Sequence, residues 1–410
     1  MLYSIPMKRR HKTLNNQSTF EDAIELATLS LLGMGPLGEC FAKYEGELVT
    51  VFGGIPGEEV VAQIATKHRK NVAQVVKVLK PSPYRVAAPC AYFGQCTGCQ
   101  WQHISYEHQL ELKRQHIQET LTQISGLVNT EVSPTVPASD PYRYRNHARF
   151  TVRGGNLGFV NRFTHRFVRI DHCLLMHPWI NGALNELQER SGETTQLAIR
   201  FGENTGSWLI QPTLSRADIS LTTGQSHYEE ALFGRKFRIA SPSFFQVNTR
   251  QTERLMQLIL DRLNLTGRET VVDAYAGVGT IAVLLAPYAS RILAIEESSA
   301  AVKDAKENAY GLSNLEFLQE KTEIALEQFV DTPDALVLDP PRSGCHYDVL
   351  VAVKRLQPKR VVYVSCNPES LSRDLRELCP EPYHVDDVQP IDMFPQTHHV
   401  ECVVTLSLAH

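Results

Sequence analysis

Thr270-Val-Val-Asp-Ala-Tyr-Ala-Gly-Val-Gly-Thr280 is the stretch that decides the fold. An apolar run, Thr270–Asp273, predicts a strand, and a helix is predicted over Ile281–Leu285, with glycines in the turn between them. Glycine lacks the Cβ that keeps a ligand away from the backbone. The next β-run, Arg291–Glu296, ends on a carboxylate 23 residues after Asp273. In nucleotide-like folds a carboxylate at about that distance binds the two hydroxyls of a ribose. The glycine spacing departs from G-x-G-x-x-G, which argues against a nicotinamide cofactor. Further β-runs at Leu315–Leu318, Asp334–Leu338 and Arg360–Val364 alternate with helical stretches, and Val400–Leu408 reads as a last, edge or antiparallel strand. That alternation predicts an α/β fold with a doubly wound, mostly parallel sheet.

Outward from this sheet, a chain of 410 residues has room for two or three domains. We divide it into a flexible basic arm (1–22, with Lys8-Arg-Arg-His-Lys12), a small β-barrel (23–83), a central strand-rich domain (84–240) and the α/β domain (241–410). In the second part, turns such as Phe52-Gly-Gly-Ile-Pro-Gly57 separate about five short strands, as in an oligonucleotide-binding barrel. Lys67-His-Arg-Lys-Asn71, Lys77 and Lys80 charge one side of it, either for a polyanion or as a solvated hairpin. A helix is expected from Tyr106 to about Ser125, with Leu110, Ile117, Leu121 and Ile124 as its apolar face, packing on the α/β domain. No apolar run approaches the ~18 residues of a membrane span. The nine cysteines, with no export signal, fit a reducing cytoplasm, where clustered thiols bind metals or do chemistry. A net charge of −4 leaves nucleic-acid binding to the distribution of charge on one face.

Two residues near the C-terminus suit one chemistry. C5 of a uracil is a poor nucleophile, but a thiolate adding at C6 turns the ring into an enolate whose C5 attacks a methyl sulfonium. The C5 proton must then leave to a base before the thiol is eliminated. Cys366, in Tyr363-Val-Ser-Cys-Asn-Pro368, ends a predicted strand, and Glu401 comes from the last one. The bland alternatives are a small buried thiol at a strand end and a surface carboxylate. Asn367-Pro368 weakens them, because proline fixes a sharp exit from the strand.

Taken in order, Ser243-Phe-Phe-Gln-Val-Asn248, the Asp273 turn, Asp339-Pro-Pro-Arg342, the Cys366 segment and Asp392-Met-Phe-Pro-Gln-Thr-His-His-Val-Glu401 resemble the RNA uracil-5-methyltransferase family. The similarity runs from about residue 23, and it is to the ribosomal RNA branch, with an N-terminal TRAM barrel and an iron–sulfur cluster. The resemblance implies a class I (Rossmann-like) methyltransferase domain. It implies S-adenosylmethionine contacts from Gln246, Tyr275, Thr280, Glu296 and Asp339, with Cys366 as nucleophile and Glu401 as proton acceptor. Ala276 stands where relatives often carry cysteine, and Thr280 where they often carry asparagine. Base-amino methyltransferases place an aromatic residue after Pro-Pro, and RNA cytosine-C5 enzymes a cysteine three residues after the aspartate. Arg342 occupies that position in this chain, against both targets. A transfer RNA substrate, or an RNA-binding or assembly protein with a degenerate donor site, are the alternatives.

Cys90, Cys96 and Cys99 share one loop, and Cys173 is the next cysteine along the chain. Four thiolates hold zinc or a [4Fe–4S] cluster, and spacing alone leans slightly to zinc. The resemblance implies the cluster, in a structural or RNA-contacting role. Between Tyr142 and Arg169, arginines interleave with Tyr142, Tyr144, Phe150, Phe159, Phe163 and Phe167. That pattern suits phosphate neutralisation with base stacking. It equally suits a strand pair with aromatics inside and arginines in water, and the two readings can coexist. The expected partner is structured RNA, ribosomal RNA first, with no membrane and no obligate protein partner.

Overall fold

The computed structural model describes residues 25–67, 70–124, 127–379 and 381–409. The expected basic arm and residues 68–69 of the charged hairpin lie outside them. Contacts divide the chain into two units, residues 1–33 with 40–81, and residues 34–39 with 82–410.

The first unit is a five-stranded sheet of β1 (Glu25–Ser30), β2 (Cys40–Tyr44), β3 (Glu47–Phe52), β4 (Glu59–Lys67) and β5 (Lys70–Lys80), in the order β1-β4-β5-β3-β2. Three of the four strand pairings are antiparallel, and only β3 and β5 run parallel. Alternation along β3 turns Val49 and Val51 inward and leaves Leu48 and Thr50 outward, the period-2 pattern of a half-buried strand. Shifts in the β4–β5 register, at Glu59/Val60 and Val61/Ala62, add the local twist that lets a small sheet curl.

The second unit begins with α1 (Tyr106–Thr122) and continues through β6 (His147–Arg153), β7 (Asn156–Val160), β8 (Phe167–Arg169), α2 (Pro178–Leu187), β9 (Gln196–Phe201) and β10 (Trp208–Gln211). These five strands form one sheet, β10-β9-β6-β7-β8, antiparallel throughout, with α2 packed against it through Ile180, Ala183, Leu184 and Leu187. The hairpin β11 (His227–Leu232) and β12 (Arg235–Ala240) leads to α3 (Thr249–Leu263).

After α3 the doubly wound region follows: β13 (Thr270–Ala274), α4 (Thr280–Leu285), β14 (Arg291–Glu296), α5 (Ser299–Asn308), β15 (Leu315–Gln319), α6 (Thr322–Glu327), β16 (Ala335–Leu338), α7 (Tyr347–Leu356), β17 (Arg360–Ser365), α8 (Pro368–Leu378), β18 (Tyr383–Ile391) and β19 (Glu401–Leu408). The sheet order is β15-β14-β13-β16-β17-β19-β18. The first five strands are parallel, and β19 pairs antiparallel with both β17 and β18. Strand order reverses between β13 and β16, which opens a crevice at the carboxyl ends of the strands, where such sheets bind ligands.

Strand β16, Ala-Leu-Val-Leu, is buried at every residue, as expected where helices cover both faces. On one face Leu326, Val349, Val353, Leu371 and Leu375 pack with Ile117 and Leu121 of α1. On the other face α3 and α4 pack through Leu255, Met256, Ile259, Ile281 and Leu285. Each such side chain contributes about 1.5–3 kcal/mol of burial. Asn248 caps α3 by accepting from the Gln251 N–H at 3.2 Å, and Asn264 ends it in the left-handed region. Helix α1 is observed to Thr122. Among the described residues no helix is long and apolar enough to cross a membrane.

Lys113 of α1, with no exposed side-chain surface, donates to Asp392 at 2.5 Å and to the Phe394 carbonyl at 3.1 Å. Removing one partner of a buried pair leaves the other charge uncompensated. Lys113→Met is therefore expected to lower unfolding free energy by about 3–5 kcal/mol, read as a fall in the urea midpoint. A Lys113→Met/Asp392→Leu double variant should recover much of it, and an unchanged midpoint in the single variant would refute the account.

Candidate active site

The turn after β13 is built by hydrogen bonds from its surroundings. The Ala276 N–H donates to the Ile295 carbonyl at 2.8 Å and the Gly277 N–H to the Glu296 carboxylate at 2.9 Å. Gly279 lies at φ +79°, and a Cβ there would come within 3.1 Å of the Phe317 ring and 3.2 Å of Ala305, so helix, strand and turn close tightly only over glycine. Asp273 is fully buried and accepts from the Ala282 N–H at 2.9 Å, anchoring the first turn of α4 to its strand. Thr280 is the first residue of α4. Tyr275, at φ +68°, directs its hydroxyl to the Cys345 thiol and the His346 backbone.

Glu296 is half-buried at the end of β14, its two oxygens accepting from the Gly277 and Ser298 N–H groups at 2.9 and 2.7 Å. A carboxylate oxygen has two lone pairs, so each keeps capacity for one hydroxyl. Gln246 is fixed by its backbone: the Asn146 side chain donates to its carbonyl at 3.3 Å, and the Asn146 N–H to that of Val247 at 2.9 Å. Asp304 of α5, fully buried, accepts from Ala240 N–H and Ser243 Oγ, both at 2.8 Å, and fastens the same segment from the other side. Phe244 between them is 72% exposed, an unpaired aromatic face beside Gln246.

Asp273, Glu296, Asp339 and Cys366 lie at or just beyond the carboxyl ends of β13, β14, β16 and β17. Glu401 opens β19. The antiparallel β17–β19 ladder ends with Ser365 opposite Cys402, so Cys366, the first residue beyond β17, and Glu401, the first of β19, flank its last pair from the same end. The two groups interact electrostatically: burial, then the Glu401 carboxylate, push the Cys366 thiol up to about 11, with the Arg342 guanidinium opposing. Burial and the neighbouring Asp339 push Glu401 up to about 8, again opposed by Arg342. Burial raises Asp339 to about 7, and burial with Asp339 nearby raises Asp273 to about 8. Such a rim favours a positively charged ligand.

Arg342 sits where it touches both sides of this rim. Its carbonyl accepts from the Asn367 side chain at 3.0 Å, and its guanidinium lies 3.3 Å from His399 Nδ1. A guanidinium only donates, so Nδ1 accepts and Nε2 carries the proton. Burial and nearby cations hold His399 down to about 4 and His398 to about 3, so both rings are neutral at physiological pH. The segment 392–401 is pinned from several elements. Gln251 and Asn248 donate to the carbonyls of Asp392 and Met393, Tyr144 to that of Pro395, and Gln109 exchanges two hydrogen bonds with Gln396. Lys113 and Gln109 are contributors that the sequence reading did not single out, while it took Tyr144 only as part of the arginine–aromatic segment and His399 only as part of a motif. Their only signal is position within or opposite the Asp392–Glu401 segment.

Cys90, Cys96, Cys99 and Cys173 line one cavity of about 480 Å³ with Arg145, Arg149 and Arg162. Burial raises the Cys96, Cys99 and Cys173 thiols, and each also feels the charge of others in the set. Backbone N–H groups of Gly98, Leu175 and Met176 oppose this at Cys96 and Cys173. Among the described residues no group of three or more His, Cys, Asp or Glu side chains is set to hold a metal ion, so the thiols face a shared space without closing on one centre.

The interleaved segment 142–169 puts some of its aromatics in the core and leaves some of its arginines in water. Tyr144 and Phe150 are core residues, and Phe159 stacks on Phe150. Arg143 is bound to Asp140, and Arg169 to Asp171 and Glu189. Arg162, His165 and Arg166 are exposed, Phe163 is 40% exposed, and the Arg153 guanidinium lies 5.6 Å from the Phe167 ring centre.

A model of the family described as tRNA (Uracil-5-)-methyltransferase matches residues 225–409. A protein of Halalkalibacterium halodurans named as an RNA methyltransferase is 32% identical over 98% of this chain and all of its own length. One of Gloeobacter violaceus with the same description is 33% identical, over 93% of this chain and 96% of its own. Among solved structures, the Pyrococcus abyssi tRNA (uracil-54, C5)-methyltransferase in complex with S-adenosyl-L-homocysteine superposes with a TM-score of 0.74 at 25% identity, covering 93% of this chain and 100% of that one. With near-complete coverage, the same sheet and the crevice at its switch point, this chain belongs to the RNA uracil-5-methyltransferase family.

Proposed function

We propose that the chain methylates C5 of a uridine in structured ribosomal RNA through a covalent bond between the Cys366 sulfur and C6 of the ring. The carrying observation is the β17–β19 register, with Cys366 and Glu401 flanking its last pair from the same end. The Cys366 thiolate adds to C6 and the electron pair moves toward the C4 carbonyl as an enolate. S-adenosylmethionine supplies an electrophilic methyl group when bound. Gln246, Tyr275, Thr280, Glu296 and Asp339 are the proposed contacts to it, Glu296 through the ribose hydroxyls. Once C5 carries the methyl group, the Glu401 carboxylate takes the C5 proton, the C5–C6 double bond re-forms and the Cys366 sulfur leaves. Arg342 is the cation that favours the charged forms of both groups.

A uracil reaches such a rim only when unstacked, which is cheapest in loops. Arg162, Arg166, Phe163 and the open ring of Phe244 offer phosphate neutralisation and stacking for such a strand. A transfer RNA substrate is the second reading, favoured by the Pyrococcus abyssi relative, described as a tRNA (uracil-54, C5)-methyltransferase. We assign Cys90, Cys96, Cys99 and Cys173 to a [4Fe–4S] cluster. Support comes from their shared cavity, the backbone N–H groups directed at Cys96 and Cys173, and three arginines that would offset thiolate charge. All nine cysteines among the described residues are free thiols, in keeping with a cytoplasmic setting.

Cells lacking the protein and complemented with Cys366→Ala should lose 5-methyluridine from ribosomal RNA but keep it in transfer RNA. Glu401→Gln should instead trap a protein–RNA adduct that survives denaturation. A Cys366→Ala enzyme that turns over would refute the covalent step, and loss from transfer RNA alone would move the substrate to the second reading.

Both groups must be deprotonated, and burial pushes Glu401 up to about 8 and Cys366 to about 11, so kcat/KM should climb steeply up to about pH 8 and go on climbing, less steeply, toward about pH 11. Arg342→Gln removes the cation that lowers both, and should displace the climb to higher pH. A flat profile counts against Glu401 as base.

Aerobically isolated or anaerobically prepared, the wild-type chain should carry iron and acid-labile sulfide in the ratio of a [4Fe–4S] cluster, and Cys99→Ser should lose both together. Zinc in their place would overturn the assignment.

A further inference from the structure

The loop that follows Arg342 is gripped from both halves of the site. The Asn367 side chain donates to the Arg342 carbonyl at 3.0 Å, and Arg373 Nη2 to the Ser343 carbonyl at 2.7 Å. From the donor side, the Tyr275 hydroxyl engages Cys345 and His346. At the centre lies Asp374 of α8, with no exposed surface. Its Oδ2 accepts from the Cys345 N–H at 2.7 Å and from the Tyr363 hydroxyl at 2.6 Å. Its Oδ1 accepts from Arg373 Nε and Nη2 at 2.9 and 2.7 Å. Tyr363 is fully buried on β17, three residues before Cys366, and the Cys345 thiol donates to its oxygen at 3.7 Å. Gly344, at φ +79°, leaves the loop no room to back away, since a Cβ there would stand 2.6 Å from Asp374 Oδ2.

A buried carboxylate is costly unless its partners are fixed, and an apolar residue would pack α8 as well or better. Here both partners of Oδ2 belong to elements that carry a site residue. Cys345 closes the loop of Asp339 and Arg342, Tyr363 lies on the strand of Cys366, and Cys345 in turn holds Tyr275. We infer that Asp374 is a positioning residue for methyl transfer, the common acceptor that keeps the donor turn, the Arg342 loop and the Cys366 strand end in one register. This rests on the proposed role of Cys366.

The full chain is compared as Asp374→Leu, Tyr363→Phe/Asp374→Leu and Asp374→Asn. Leucine orphans the Cys345 N–H and the Tyr363 hydroxyl. The double variant removes the orphaned hydroxyl and with it most of the folding defect, but returns no acceptor to the loop. Asparagine keeps one oxygen for both buried donors. The double variant should melt within about 5 °C of wild type. It should bind S-adenosyl-L-homocysteine, by calorimetry, at least ~tenfold more weakly. At saturating S-adenosylmethionine it should methylate ribosomal RNA from cells lacking the protein at least ~tenfold more slowly. Asp374→Asn should restore most of both. Wild-type affinity and rate in the double variant would reduce Asp374 to a packing residue, as would an Asp374→Asn enzyme no better than the double. If Cys366→Ala turns over normally while the double variant still loses donor affinity, the nucleophile assignment falls and the positioning role stands.

Discussion

Everything at the rim depends on β19 running backwards. In a wholly parallel sheet each strand delivers its carboxyl end to the crevice, and the residue that begins a strand lies at the opposite edge. The antiparallel insertion of β19 beside β17 brings the first residue of one strand to the end where the first residue beyond the other lies, so Glu401 and Cys366 share one end of the ladder. Register in a sheet buried on both faces is strongly specified, because a slip of one residue turns every side chain over. Strand β19, buried from Glu401 to Leu406, therefore fixes the proposed base relative to the proposed nucleophile without help from a flexible loop.

The same geometry concentrates negative charge. Asp273, Asp339 and Glu401 are all held above their ordinary range, burial being the largest cause for each, and Arg342 is the cation that opposes this at Glu401 and Cys366. Packing carboxylates this way destabilises their charged forms. A sulfonium-bearing donor relieves that cost, because an opposite charge within a few ångströms favours ionisation. The site is thus complementary to its cationic ligand rather than to the empty protein. Burial and the Glu401 carboxylate likewise favour the thiol form of Cys366.

The parallel core was legible because its strands are short apolar runs closed by glycine or a carboxylate, as in Thr270–Ala274 with its turn and Arg291–Glu296. Strand β18 was not. Tyr-His-Val-Asp-Asp-Val-Gln-Pro-Ile mixes charges with a proline and carries a bulge, a composition that survives only at a sheet edge, which is where β18 lies. At the site, residues at strand ends were readable, since an α/β sheet gives those positions a meaning. Lys113 and Asp374 were not, because a charged residue in an amphipathic helix reads as a solvated one. Only the assembled fold shows both to be fully buried. The arginine–aromatic segment was half legible for a related reason: alternation tells inside from outside, but not which outward arginine already has a carboxylate, as Arg169 has in Asp171 and Glu189.

Those hidden residues explain how a segment without regular structure can hold a catalytic geometry. Between β18 and β19 the chain from Asp392 to Val400 has no ladder of its own, so its polar groups must be met by side chains. Gln109 and Lys113 of α1, Tyr144 ahead of β6, and Asn248 and Gln251 of α3 meet them. The helix α1 stands far from this segment in sequence, yet it presents a buried amine and an amide to it and packs its apolar face on α8. Loop rigidity here is bought with tertiary contacts. A loop clamped from three elements loses its freedom on folding, so the neutral His399 beside Arg342 and the carboxyl group of Glu401, the proposed base, are held in place before any substrate arrives.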